Sequence, residues 1–530
     1  MPFAQGGLSV LGGARQFAVG PEQAEEQERL LVSAPHLVLP TRVVVPLPFA
    51  DNALKAAVFR AGVFAERLLG LFDPVHGEAT PWDAPGRVDR RVEVAAGAVS
   101  YTDLTCISEA RLTLSILRAA ALNGAVVANY VEAVALDRDR RCLTVRDTVS
   151  GATWSLRASV FVNATGAASD QVRFLMGGSK AANRDDSGDN DRRAGSGEDS
   201  GREASGAANQ LEPLVGVHLI VDRRTGTAAG EGIDAVTLDP RGRSDGHVAF
   251  TLPWDVAGRY VCVGDSAPAL LKDRQSMAVD AAYVAAVLSS AAQGEPGVGS
   301  VCSAWTGLRP ALAVAAQGVA PTWTWTTEVD AGARVVSTVG GSIPCYRRMA
   351  VDAMAAVRRL IREPEDSDQA EDGRGWQQPA SASDAPPLFD GAWAGEDDRL
   401  AVESELVRVG SKLDPSTRAH LLASYGTRAP AVAALAEADG DLGTLLAPAA
   451  GPWIRAEVVW AARAEMAVTA VDVLARRTRI MFTDPRVARA VAPVVVHLMA
   501  PICGWNQDRR QAEIAGVAAA CAYFEVVDSS

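Results

Sequence analysis

Cysteine is scarce in this 530-residue sequence. Seven residues stand singly (Cys106, Cys142, Cys262, Cys302, Cys345, Cys503, Cys521), with no C-x-x-C pair and an odd total. That pattern argues against a disulfide framework or a zinc site, and no metal ligands are assigned; it points to buried thiols in a reducing compartment. A cationic excess is also missing: 51 Lys and Arg stand against 64 Asp and Glu, a net charge of −13. Phosphate surfaces need the opposite balance, so nucleic acid is not an expected partner. No uninterrupted run of about 18 apolar residues occurs, so no membrane-spanning helix is expected. The opening "MPFAQGGLSVLGGARQF" lacks both the apolar core of a secretory signal and the Arg/Ser-rich amphipathic character of a transit peptide, so no address is read from it.

What is present is enough for a large core. With 48% hydrophobic residues, the chain is expected to form two or three globular domains. "PEQAEEQERLLVSA" (21–34) opens on Pro and acidic residues and turns apolar, a helix-start composition. "HLVLPTRVVVPLPF" reads as a strand whose prolines favour an edge or extended segment. "SEARLTLSILRAAA" (108–121) puts Leu112, Ile116 and Leu117 on one helical face and ends near Asn123-Gly124. Strand-like stretches follow through "VFVNATG", and helix, meander and buried strand together suggest an α/β nucleotide-binding domain.

Residues 179–210 contain no apolar side chain larger than alanine and are expected to form a disordered surface insertion, because they have nothing to bury. Strands return over 211–265, a helix is expected over 276–292, and the acidic, Pro-rich stretch 363–398 reads as a linker. The expected organisation is therefore a domain over 1–362, the linker, and an all-helical domain over 399–530. Within the last, residues 453–479 read as one long amphipathic helix with Asp472 and Arg476 at i,i+4 spacing, and Arg476, Arg477 and Arg479 as capping and surface-pairing residues.

"STVGGSIPCYRRMAVDAM" (337–354) reads as a strand, two glycines, a turn, and a helix with Tyr346 and Arg347 in its first turn. Paired glycines let backbone N–H groups approach a ligand, and the helix start favours an anion.

In order, "ERLLVSAPHLVLP", "SYTDLTCISEARL", "VNATGAASDQVR", "GVHLIVDR", "LPW", "VGDS", "TGLRPAL", "GGSIPCYRRMA" and "EMAVTAVDVLARRTR" resemble the FAD-dependent glycerol-3-phosphate dehydrogenases. The resemblance runs from about Gly6 to about Trp505. It implies an α/β fold: an FAD-binding Rossmann-like domain with an antiparallel-sheet substrate domain, plus a C-terminal all-α domain. The implied activity is oxidation of glycerol 3-phosphate to dihydroxyacetone phosphate, with electrons passing through FAD to quinone, mitochondrial and peripheral to the inner membrane. His218 matches the family histidine that would serve as base for the hydroxyl proton, and Arg309 in "TGLRP" matches a substrate arginine. The residues implied at the cofactor are Gly6, Gly7, Asn163, Gly166, Gly340, Gly341, Tyr346 and Arg347.

Several positions depart from the family pattern. Where it has G-G-K-x-T-T-Y-R, this chain reads Gly340-Gly341-Ser342-Ile343-Pro344-Cys345-Tyr346-Arg347, without the lysine. Where it has H-G-G-x-R-Y-L, this chain has Gln5, Ser9 and Val10 at the polar positions, and "PTWTWTTE" carries no basic residue. The strand, G-x-G-x-x-G turn and helix that open the family do not precede Gln5, so the Rossmann-like domain is expected to lack its first strand. Three readings stay open: a glycerol-3-phosphate oxidoreductase, a non-catalytic paralogue acting as a binding partner, and a flavoenzyme with an altered substrate.

Overall fold

The computed structural model describes residues 21–46, 93–95, 98–138, 140–177, 211, 214–222, 235–239, 248–254, 260–267, 301–310, 312, 325–362, 389–448 and 450–525. Gly6, Gly7, the insertion 179–210, the helix expected over 276–292 and residues 363–388 of the expected linker lie outside them.

The largest sheet has eight strands: β1 (Val38–Pro46), β2 (Glu93–Ala95), β3 (Ala98–Cys106), β8 (Leu214–Asp222), β9 (Ala235–Asp239), β10 (Val248–Pro253), β11 (Tyr260–Ala267) and β12 (Val301–Arg309), in the order β12-β8-β11-β10-β9-β1-β3-β2. All neighbours are antiparallel except β1 and β9. A meander of β4 (Val131–Asp137), β5 (Cys142–Asp147) and β6 (Thr153–Arg157) forms a second sheet. The third joins β7 (Phe161–Asn163), β13 (Trp325–Asp330) and β14 (Val335–Gly340) in the order β13-β14-β7, with β7 and β14 parallel.

The strand with two prolines is interior, not at an edge. β1 pairs with β3 along its whole length, while its contact with β9 is confined to Arg42, Val43 and Val44. Those residues stand between Pro40 and Pro46, neither of which can donate to a ladder. Helix α1 (Pro21–Ser33) precedes this strand. Helix α2 (Glu109–Leu122) follows β3, as its caps dictate: Ser108 Oγ accepts from the Arg111 amide at 3.4 Å, and Gly124 takes φ +91° beyond Asn123. Helices α3 (Ser169–Gly177) and α4 (Tyr346–Arg362) follow β7 and β14.

The C-terminal region is all-helical: α5 (Glu396–Val409), α6 (Pro415–Tyr425), α7 (Ala429–Ala438), α8 (Arg455–Ala464), α9 (Ile480–Thr483), α10 (Pro485–Cys503) and α11 (Gln507–Ala522). The helix expected over 453–479 is broken. α8 stops at Ala464, Met466 takes a left-handed φ of +53°, and Asp472–Arg477 form a π-helical segment. The break survives because Asp472 Oδ2 accepts the amides of Val468 (3.0 Å) and Thr469 (3.1 Å), which an uninterrupted helix would have satisfied internally. The Asp472–Arg476 pair does form, at 3.1 Å. Arg477, by contrast, is buried rather than a surface pair.

Helix α10 is long and apolar enough to cross a bilayer, with a mean hydropathy of 1.4 over its best window, contrary to the expectation from uninterrupted runs. Arg486 and Arg489 interrupt the run in its first turns. Here Ala488, Ala492, Val495, Val496 and Met499 pack it into the core shared by the C-terminal helices and the large sheet.

The expected linker enters the fold at Phe389, whose amide donates to Ser33 O at 2.9 Å and whose ring joins the cluster of Leu30, Leu37 and Leu104. Next to it, Asp390 accepts from Arg118 of α2 at 2.6 Å and from Arg428 at 2.6 and 2.9 Å, and Gly391 O accepts the Thr427 amide at 2.9 Å. His36 lies 3% exposed beneath this crossing, and burial, with the Arg111 charge next, pushes its imidazole from 6.5 down to about 3.

Two consequences can be measured. A Cβ on Gly426, which holds φ +55°, would sit 1.7 Å from Gly391 O, whereas one on Gly516 inside α11 meets nothing within 4 Å. Gly426→Ala is expected to destabilise the protein by about 2–4 kcal/mol, and Gly516→Ala to stabilise it by about 0.5–1 kcal/mol, read as urea midpoints at constant slope. The second concerns acid. The unfolded chain protonates His36 near pH 6.5 and the folded chain only near pH 3. The neutral imidazole's share of stability is therefore complete above about pH 6.5, is lost as pH falls below it, and is down by about 1.4 kcal/mol at pH 5.5. His36→Gln should flatten that part of the Tm-against-pH curve.

Candidate active site

β7 and β14 run parallel in register, Phe161 against Val335 and Asn163 against Ser337, so both carboxyl ends fall on one edge. Each strand then enters a glycine turn, a 3-10 turn (Gly166–Ala168 or Ile343–Cys345) and a helix. This strand-turn-helix arrangement at adjacent parallel strands is where open α/β sheets bind nucleotides.

Asn163 brackets the first of these turns against β14. It is 1% exposed; its Nδ2 donates to Ser169 O at 3.0 Å and Ser337 Oγ at 3.3 Å, and its Oδ1 accepts Thr165 Oγ1 at 2.7 Å. The side chain thus ties the Gly166 turn to β14. Gly166 holds φ +58° with no heavy atom within 4 Å of where a Cβ would lie, so its backbone faces open space. Gly340 and Gly341 each hold φ +84°, but a Cβ on Gly341 would meet Met349 Sδ at 2.4 Å. Gly341 therefore serves helix packing as well as the turn.

The large sheet meets this edge. β12 packs against the Gly166–Ala168 turn, and the segments before β8 and after β12 are bridged at Leu211 and Leu312, with the Leu211 amide donating to Asp170 of α3 at 2.9 Å. His218 lies on β8, opposite Gly264 of β11 and Trp305 of β12. Its ring stacks on Trp305 at 5.4 Å and 28°, and it is 1% exposed. Arg309 ends β12 opposite Leu214, four residues or about 13 Å of strand beyond Trp305. His218 and Arg309 are thus on adjacent strands, and the strand of Arg309 abuts the turn of Gly166.

Tyr346 and Arg347 begin α4 as expected, but both side chains are engaged within the protein. Tyr346 meets Phe389 edge-on at 6.1 Å, and burial pushes its phenol up to about 12. Arg347 Nε donates to both carboxylate oxygens of Glu26 on α1, at 2.9 and 3.1 Å. Ser342, where the family has lysine, precedes the 3-10 turn without capping it by its side chain, and its Oγ donates to Cys345 Sγ at 3.7 Å.

Arg479, which motif reading assigned to capping and surface pairing, belongs to a group that connects the C-terminal helices to His218. Arg479, at φ +59°, lies 4.4 Å over the Trp254 ring; Trp254 contacts Trp305 at 5.6 Å and donates its Nε1–H to Thr483 Oγ1 at 2.9 Å. Phe482 meets Trp305 edge-on at 5.0 Å. The only sequence hint was the concentration of Trp and Arg in "LPW" and "ARRTR".

Known proteins give the same picture. Residues 16–184 match the family model described as FAD dependent oxidoreductase, and residues 389–510 match the C-terminal domain of alpha-glycerophosphate oxidase. A probable mitochondrial glycerol-3-phosphate dehydrogenase of Caenorhabditis elegans is 28% identical over 522 residues, covering 94% of this chain and 63% of the relative. Glycerol-3-phosphate dehydrogenase 2 of Mycobacterium tuberculosis is 27% identical over 525 residues, covering 96% of this chain and 79% of the relative. The chain thus spans less than two thirds of the worm protein's length, and the same 63% of its macaque counterpart. The structure of the glycerol-3-phosphate dehydrogenase from Bacillus halodurans complexed with FAD superposes with a TM-score of 0.64 at 18% identity, covering 95% of this chain and 85% of that one.

The fold is that of an FAD-dependent oxidoreductase carrying an appended helical domain. Within that class, the relatives that span most of this chain include glycerol-3-phosphate dehydrogenases. The open backbone at Gly166 and the paired glycine turns fit a dinucleotide lying across the carboxyl edge of β7 and β14.

Because Asn163 ties the Gly166 turn to β14 from a buried position, Asn163→Ala should cost about 2–4 kcal/mol, more than one ordinary hydrogen bond, since it leaves Ser169 O and Ser337 Oγ buried without this donor. A urea midpoint within error of the parent would show that the turns hold without it.

Proposed function

We propose that this chain is a glycerol-3-phosphate dehydrogenase-like flavoenzyme, which oxidises the secondary alcohol of glycerol 3-phosphate to the ketone of dihydroxyacetone phosphate and passes the electrons to quinone. One observation carries the proposal: β12, with Arg309 at its end and His218 on the adjoining strand, packs against the glycine turn at the carboxyl edge of the parallel strands. Bound FAD would accept the hydride, held by the backbone of Gly166, Gly340 and Gly341 with Asn163 fixing the turn between them. His218 would take the hydroxyl proton on a ring nitrogen, with Trp305 fixing the ring plane. Arg309 would pair with the substrate phosphate, where a guanidinium fork gives a charge-assisted contact. The relatives include both mitochondrial and bacterial proteins, so a mitochondrial, peripherally membrane-bound location belongs to this proposal too.

The second reading, a non-catalytic family member, has its own support: Arg347 is held by Glu26, Ser342 replaces the family lysine, and His218 is almost wholly covered. The decisive experiment uses the flavin-loaded protein. Glycerol 3-phosphate should bleach the flavin band near 450 nm and reduce a quinone analogue, and His218→Gln should slow flavin reduction about 10²- to 10⁴-fold. Ser342→Lys should raise kcat/KM for glycerol 3-phosphate about 10- to 100-fold and leave glycerol unchanged, because the new cation meets only the phosphate. Full flavin occupancy without bleaching, in parent and Ser342→Lys alike, would establish the non-catalytic reading.

A further inference from the structure

β12 ends the large sheet: among the described residues one of its edges carries β8 and the other carries no strand. Backbone donors on an outer edge must be satisfied by something other than a ladder. The chain just beyond α11 does this at one point. Ala304 N donates to Phe524 O at 2.9 Å, and the hydroxyls of Thr306 and Tyr523 share a hydrogen bond of 3.3 Å. These two contacts flank Trp305, whose ring stacks on His218 of the neighbouring strand. Glu525, the next residue, pairs with Arg489 of α10 at 2.6 Å.

The side chains repeat this grip. Phe524 is 7% exposed and its ring lies 6.4 Å from that of Trp305. It also meets Phe482 of α9 edge-on at 4.7 Å, and Phe482 meets Trp305 edge-on at 5.0 Å. On another side of the indole, Trp254 is pinned separately by Thr483 and Arg479. Phe524 therefore supports the indole twice, directly and through Phe482. Ring contacts depend on mutual orientation, and a void left by Phe524 would let both neighbouring rings turn.

We propose that Phe524 is a positioning residue for the His218 site: carried by the strap Tyr523–Glu525, it wedges the Trp305 indole against the His218 imidazole and so fixes the ring plane of the proton acceptor. Its value for turnover rests on His218 acting as the base. Because Phe524 works through Trp305, its loss misaligns proton transfer and leaves substrate binding in place.

The test joins ring geometry to turnover. In protein carrying 13C-labelled histidine, the His218 ring resonance, identified by its loss in His218→Gln, should move in Phe524→Ala while those of His36 and His420 stay. Phe524→Tyr, which keeps the ring, should restore it. In the flavin-loaded protein, Phe524→Ala should slow flavin reduction by glycerol 3-phosphate about 10- to 100-fold, with the half-saturating substrate concentration changed less than about twofold. Val517→Ala, fully buried on α11, should lower Tm and change neither readout. If Phe524→Ala does not fold, Phe524→Leu, which keeps most of the volume without the ring, decides in its place. An unmoved His218 resonance overturns the proposal, and so does a moved resonance with an unchanged rate of flavin reduction. A parent protein that binds flavin without being reduced defeats the role of His218 as base, and the resonance then decides whether Phe524 positions the ring.

Discussion

The structure turns on one buried carboxylate, Glu465. It stands at the carboxyl end of α8, where the last peptide carbonyls already concentrate negative charge, so it requires cations from outside that helix. Arg111 of α2 supplies Nη1 at 3.2 Å, and Arg477 of the π-helical segment supplies Nε at 3.5 Å. The two arginines also satisfy backbone: Arg111 Nη2 donates to Arg477 O at 3.0 Å, and Arg477 Nη2 to Glu465 O at 2.5 Å. Trp460 Nε1 adds a third contact to the carboxylate at 3.2 Å. Burial pulls the Arg477 guanidinium below its usual range, while Arg111, also buried, is held above it by Tyr425 and Glu465. Removing Glu465 would leave two buried guanidiniums without their carboxylate, a cost of several kcal/mol.

This constraint explains why the chain interrupts its helix where it does. A continuous helix over 453–479 would place Arg477 twelve residues, more than three turns, from Glu465. The break at Met466 folds the π-helical segment back on α8 and brings the two side chains together. Amphipathic spacing could not announce this, because each half keeps a helical period and the interruption is enforced by contacts with α2, more than 340 residues earlier in the chain.

What the sequence made legible has a common character. Helix α2 was bounded correctly because Ser108 and Asn123-Gly124 act locally, and the turn after "VSTVGG" was placed because glycine pairs end strands for local reasons. The prolines of β1 left an edge and an extended segment both open, since whether a neighbour strand avoids them depends on register set elsewhere. Ordered family motifs nominated His218, Arg309, Asn163 and Gly166 as site residues, yet gave no sign that Asn163 acts as a bracket or that Arg347 would be taken by Glu26. Those roles depend on partners 174 and 321 residues away in sequence.

Domain docking and the proposed chemistry are consequently not separable. His218 and Ile220 alternate onto the same face of β8, and Ile220 belongs to the core that α10 and the π-helical segment complete. From that core, Arg479, Trp254 and Trp305 form a continuous series of ring and cation contacts ending at the His218 imidazole. Arg479 is two residues beyond Arg477, so the ionic contact that fixes the π-helical segment on Glu465 also fixes the start of this series. Stacked rings tolerate sliding less than aliphatic packing does, because their attraction depends on mutual orientation. A shift of the π-helical segment would therefore reach His218 as a change of ring angle, with β8 itself held in place by ladders on both sides.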